Sequence, residues 1–174
     1  MTDDKIKLIY EIAAKSFMLD ANPTLYLTDD EVHNLSVRKG SLTDNERRKI
    51  EYHATMTEEI LRQLPFPRKL ANVTLFAGSH HEKLDGSGYP HGLAKAQLPL
   101  QAKILAIADI FEALTAKDRP YKKPMNLSQV ISIMDSMKKD NHIDPDIFDL
   151  FISCQLHLHY AKKEMNPEQI DISE

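Results

Sequence analysis

From Ile104 to Thr115 the chain reads Ile-Leu-Ala-Ile-Ala-Asp-Ile-Phe-Glu-Ala-Leu-Thr, a helical pattern that is apolar on almost every side. A helix of that composition belongs in an interior. Asp109 and Glu112 are its only charges, and a carboxylate in such surroundings needs a cation or strong donors. A metal ion shared with histidines meets that need, and so does a salt bridge to a Lys or Arg elsewhere in the chain.

The remaining pattern is also helical. Ile6, Ile9, Ile12, Ala13 and Phe17 recur at helical spacing, which predicts a helix from Lys5 to Met18, broken at Asn22-Pro23. Residues 24–42 read as a connector with turn chemistry at Lys39-Gly40-Ser41. Thr43 and Glu46 have capping-box spacing and open a second helix that runs to Leu64 and stops at Pro65-Phe66-Pro67. A third is expected from Pro67 to about His81, and a fourth, after Pro99, from Leu100 to Thr115. A fifth opens near Ser128 and ends near Lys139. A sixth follows Asp144-Pro145 and runs to about Glu164. Strand patterns are scarce, so the expected class is all-α, a helical bundle. The expected organisation is an N-terminal helix and connector over 1–42, a main helical domain over 43–165 and a tail over 166–174.

Composition narrows the function classes. With 42% hydrophobic and 28% charged residues the chain is a soluble globular type. A formal net charge of -4 without any dense basic block argues against a nucleic-acid or membrane surface. No run of 18 apolar residues is present, so no membrane span is expected, and the opening Met1-Thr2-Asp3-Asp4-Lys5 is too polar for a secretory signal. Cys154 is the only cysteine, which excludes an intrachain disulfide, fits a cytoplasmic protein and reads as a small apolar core residue.

Three further polar groups fall on or beside apolar faces. In the second helix Ile50, Ala54, Thr57, Ile60, Leu61 and Leu64 share a face, and His53 lies inside it. In the third, His80 and His81 flank the face made by Leu70, Val73 and Ala77. A core imidazole bonded to a carbonyl explains His53 alone, and surface chance explains a lone His-His pair. Taken together, His53, His80, His81 and Asp109 form a nitrogen-and-oxygen set on three predicted helices, the way helical folds build inward-facing metal sites. Such a set suits iron, manganese, zinc or nickel better than calcium. Four of the five glycines lie between Gly78 and Gly92, which marks one stretch of unusual backbone.

These residues carry a family likeness. His80-His81-Glu82-Lys83-Leu84-Asp85-Gly86-Ser87-Gly88-Tyr89-Pro90 resembles the signature of the HD-GYP family, a branch of the HD-type metal-dependent phosphohydrolases. Ile107-Ala108-Asp109-Ile110-Phe111-Glu112-Ala113-Leu114-Thr115, followed by Asp118-Arg119-Pro120-Tyr121-Lys122, is similar to the family's next motif. The likeness is good over residues 35–125. It implies an all-α HD-like fold, a divalent-metal centre of iron or manganese (zinc or nickel otherwise), and hydrolysis of the bacterial second messenger cyclic di-GMP. It further implies His53, His80, His81 and Asp109 as metal ligands, Arg119 and Lys122 as residues facing substrate phosphates, and a loop of Asp85, Gly86, Gly88, Tyr89 and Pro90 as a rigid lip.

Two departures shape the expectation. No His-Asp dipeptide occurs in the sequence, although that dyad supplies further ligands in the family. The chain therefore reads as the C-terminal part of such a domain, with the dyad in a preceding segment, and the isolated chain is expected to be inactive with no complete catalytic set. Glu112 stands where many members have Asp, and one extra residue separates Thr115 from Arg119. The competing reading is a non-catalytic module that binds cyclic di-GMP or a signalling protein through the Gly-rich loop. Apolar surface left uncovered by absent helices is expected to favour a homodimer. Glu112-Ala113-Leu114 also spells the label of a different cyclic di-GMP phosphodiesterase class, but that class is an α/β barrel and no alternating strand–helix pattern exists here.

Overall fold

Sequence periodicity would carry the first helix on to Met18, but the chain leaves it five residues earlier. The computed structural model describes residues 1–38, 40–116 and 124–172, arranged as two compact units, Met1–Tyr52 and His53–Glu174. In the first unit, α1 (Asp3–Ala13) is followed by an antiparallel hairpin of β1 (Ser16–Leu19) and β2 (Asn22–Leu25). Asp20 and Ala21 form its two-residue turn with φ of 48° and 64°, the left-handed pair that suits the twist of a hairpin. Phe17, assigned by spacing to the helical face, instead packs on Tyr26 with ring centroids 5.1 Å apart. The expected connector over 24–42 also contains α2 (Asp29–Leu35). Thr28 caps it, accepting from the Glu31 N–H while Glu31 accepts from the Thr28 N–H at 2.8 Å. Thr43 and Glu46 repeat that reciprocal cap, at 2.8 and 3.2 Å, and open α3 (Asp44–Arg62), which crosses the division between the units.

The second unit holds the core. After α3 the chain passes through a 3-10 turn, Arg68–Leu70, into the short α4 (Val73–Gly78). The Gly-rich loop follows, and then α5 (Leu100–Thr115), α6 (Leu127–Lys139), α7 (Pro145–Ser153) and α8 (Leu156–Glu164). Ile107 and Phe111 of α5 pack with Leu127, Val130 and Met134 of α6, with Ile143, with Phe148 of α7, and with Leu158 and Ala161 of α8. Phe111 meets the rings of Phe151 and Tyr160 edge-on at 5.1 and 5.3 Å, which sets α7 and α8 against the centre of α5. Beyond α8, the buried Gln169 donates to the carbonyls of Met125 (3.0 Å) and Thr115 (3.3 Å), joining the end of α5 to the approach of α6.

The all-α class is borne out, since the hairpin is the only sheet among the described residues. Several details differ from expectation. The third helix stops at Gly78, so His80 and His81 stand in the turn beyond it. The expected sixth helix is two helices, parted where Gln155 takes a left-handed φ of 54°. Cys154, at that break, is exposed rather than in the core. Nor is α5 covered all round. Its Ala102–Ala106–Phe111 side is buried, while Leu100, Ile104 and Leu105 are 59%, 48% and 43% exposed. On α3, Ala54 is fully buried but Ile50 and Ile60 are exposed, as is Leu64 beyond its end, because the inward side of that helix is the one that carries Glu58.

Met134 has no solvent exposure and sits at the centre of the four-helix cluster. Met134→Ala is expected to lower stability by about 2–5 kcal/mol, measured as an earlier denaturant midpoint with an unchanged slope.

Candidate metal centre

The turn after α4 is made by competition for one carbonyl. In a continuing helix the Ala77 carbonyl would accept from the His81 N–H. Instead the His80 ring donates to it from Nδ1 at 2.5 Å, and Glu82 N–H closes a turn onto the Ser79 carbonyl at 3.1 Å. That bond fixes the His80 tautomer and leaves its Nε2 lone pair free, the arrangement found behind metal-bound imidazoles.

His53 of α3 meets this turn. Its Nε2 lies 2.8 Å from Nε2 of His81, and the two rings cross nearly at right angles, with centroids 4.8 Å apart. The ring centroids of His80 and His81 are 4.0 Å apart. One ring nitrogen from each of His53, His80 and His81 falls within 4.8 Å of the other two. Two nitrogens about 2.1 Å from one cation at a right angle would stand about 3 Å apart, a separation that the His53–His81 pair matches. Asp109 of α5 approaches from the other edge of His81, with Oδ2 4.0 Å from Nδ1, and lies outside the closest trio. Its side chain is 45% exposed. It therefore borders the imidazoles as a half-exposed carboxylate, and the expectation of a deeply buried one is not met. The exposed His53 likewise differs from the core histidine that its apolar neighbours suggested.

Electrostatics keep His81 neutral. Burial, aided by His80 and His53 and opposed by Asp109, lowers the His81 pKa from 6.5 to about 4. At neutral pH one of its ring nitrogens thus keeps a lone pair rather than a second proton.

The Gly-rich loop is bound tightly to the same turn. A Cβ on Gly88 would lie 2.5 Å from Cα of Glu82 and N of Lys83, so only glycine permits this approach. The Tyr89 N–H donates to the His81 carbonyl at 3.3 Å, and the Tyr89 ring stacks on His81 with centroids 4.8 Å apart. The Tyr89–Pro90 peptide is cis. Asp85 accepts from the Ser87 N–H at 2.8 Å, and Gly86 between them has φ of 78°. Two buried carboxylates that sequence reading left unassigned complete the loop's support. Glu82 accepts from the His91 and Leu93 N–H groups at 2.7 and 2.9 Å, and Glu58 accepts from the His91 ring at 2.7 Å. Glu82 could have been found from its place inside the signature, whereas nothing local in the sequence marks Glu58. Arg119 and Lys122 lie outside the described residues.

The depressed His81 pKa links to stability with a definite sign. Between about pH 6.5 and 4 the unfolded chain binds the proton and the folded chain does not, so this contribution is present above 6.5 and lost as pH falls toward 4. In the metal-free protein, the His81 ring is expected to titrate near 4 by NMR, and Asp109→Asn to move that midpoint lower still by removing the carboxylate that raises it.

Comparison with known proteins identifies the family. A family model described as HD domain matches residues 26–147. A 3'3'-cGAMP-specific phosphodiesterase of Vibrio cholerae is 40% identical over 115 residues, covering 66% of this chain and 26% of that protein. A cyclic di-GMP phosphodiesterase of Pseudomonas aeruginosa is 36% identical over 117 residues, covering 67% and 27%. One of Thermotoga maritima is 31% identical over 119 residues, covering 68% and 32%. The chain thus spans about a quarter to a third of the length of these relatives. With its His80–Pro90 signature and the helical frame that presents it, the chain belongs to the HD domain family, in the HD-GYP branch.

Proposed function

We propose that this chain forms part of a metal-dependent phosphohydrolase that cleaves the phosphodiester bonds of a cyclic dinucleotide, with cyclic di-GMP as the first candidate and 3'3'-cGAMP as the second. The single observation that carries the reading is the convergence of three imidazoles from α3 and the turn after α4, with Asp109 alongside. Similarity to relatives named for those two substrates supports the substrate class.

In this reading His53, His80 and His81 hold a divalent cation, iron or manganese first, through ring nitrogens. Asp109 contributes a negative charge beside His81 that favours a bound cation. When bound, the metal supplies Lewis-acid polarisation of a phosphoryl oxygen and acidifies a water. The protein's own part is positioning. The Ala77 carbonyl orients His80, and Tyr89 stacks over His81 and limits water on that side. The Gly-rich loop forms the lip of the site. Arg119 and Lys122 are assigned to the substrate phosphates, where a planar guanidinium and a mobile ammonium offset equatorial charge.

The described donors, three imidazoles and one carboxylate, suffice for one ion and fall short of the set that two ions need. The 174-residue chain by itself is therefore assigned metal binding without turnover. The related reading, a module that binds the cyclic dinucleotide or a signalling protein without cleaving it, uses the same loop and predicts ligand binding where hydrolysis is absent.

Calorimetric titration with manganese is expected to show about one site per chain, weakened at least tenfold by His81→Ala and by His53→Ala. Retained affinity in both variants would refute the site. Hydrolysis of cyclic di-GMP by the isolated chain with manganese would refute the assignment of binding without turnover.

A further inference from the structure

Glu58 is 4% exposed on α3, five residues beyond His53 and so about 7.5 Å further along the helix axis. A carboxylate this buried requires donors. It has two: the His91 ring donates from Nε2 to Oε1 at 2.7 Å, and Arg62 donates to Oε2 at 2.6 Å. The Arg62 side chain is 64% exposed, which makes that arm a surface pair of small weight. The His91 arm reaches the residue that directly follows the Tyr89–Pro90 lip, whose ring is half-exposed.

The fit around this carboxylate is specific. A Cβ on Gly78 would lie 2.3 Å from both Cγ and Oε1 of Glu58, so the last residue of α4 must be glycine for Glu58 to lie where it does. The His91 backbone is held as well, since its N–H donates to the buried Glu82, the neighbour of His81. His91 is thereby fixed at both ends, its backbone to the histidine turn and its ring to α3. Glu58 closes a bracket in which α3, the end of α4 and the loop are locked around the His53–His81 contact.

We propose that Glu58, acting through His91, is a positioning residue that holds His53 in register with the His80–His81 turn. It touches neither substrate nor metal, and it works by keeping α3 from sliding or lifting off that turn. The proposal rests on the reading of His53, His80 and His81 as a cation site for its effect on binding, while the bracket itself is testable without metal.

The experiment compares the full chain with its Glu58→Gln, Glu58→Ala and His91→Ala variants by manganese titration and by amide hydrogen exchange without metal. Glu58→Gln keeps acceptor and shape, and is expected to stay within threefold of the parent in affinity. Glu58→Ala and His91→Ala are expected to lose tenfold or more in manganese affinity and to exchange faster over residues 88–93. If Glu58→Ala does not fold, His91→Ala takes its place, since substitution at a half-exposed ring leaves the core intact. A lower melting temperature with unchanged affinity and unchanged exchange in His91→Ala would overturn the proposal. If the parent chain binds no manganese, the cation reading fails by itself, and the exchange data alone then decide the bracket: faster exchange over 88–93 sustains it, and unchanged exchange ends it.

Discussion

Ring nitrogens of three imidazoles meet inside a 4.8 Å circle, and the structure around them is built to hold them there. The Ala77 carbonyl takes the proton side of His80, and burial together with its neighbours holds His81 neutral down to about pH 4. His53 closes the group, with its Nε2 2.8 Å from Nε2 of His81, so ring nitrogens from two separate segments of the chain share one place. The turn after α4, the stacking of Tyr89 and the approach of α3 all serve to maintain this contact. It explains why so many features fall within a dozen residues of His81.

Maintaining it draws on buried carboxylates. Glu82 and Glu58 are each 4% exposed, and each is satisfied by donors from the segment just after the loop. Burying a charge is costly unless its acceptors are filled. The pairing works in both directions: the loop's N–H groups and the His91 ring fill the acceptors, and the carboxylates fix the loop. Gly78 and Gly88 allow the close backbone approaches this needs, since a side chain at either would collide with Glu58 or with the backbone of residues 81–83.

Helices whose termini carry local chemistry were legible in the sequence. The reciprocal cap of Thr43 and Glu46 located the start of α3, and Pro99 and the apolar run located α5 from Leu100 to Thr115. The same Thr-x-x-Glu signal stands at Thr28–Glu31 and opens α2, a helix of seven residues inside the stretch expected as a connector. The hairpin was hidden because Ile12, Ala13 and Phe17 keep helical spacing across the point where the chain turns. The break at Gln155 has neither Gly nor Pro to announce it. At the site, the nearness of His53, His80, His81 and Asp109 was legible in composition and motif, whereas their local placement was not. His80 and His81 sit past the end of a helix because a side chain won the contest for one carbonyl, and Asp109 is half-exposed because α5 is covered on one side only. Such outcomes depend on tertiary packing, which periodicity does not encode.

The central claim is that a cation sits among these imidazoles. Crystals of the chain grown with manganese, measured at the manganese absorption edge, test it most directly. The account predicts one anomalous peak within coordination distance of ring nitrogens of His53, His80 and His81, on the side facing Asp109. Anomalous density elsewhere, or none at all with the three rings turned away from one another, would contradict it.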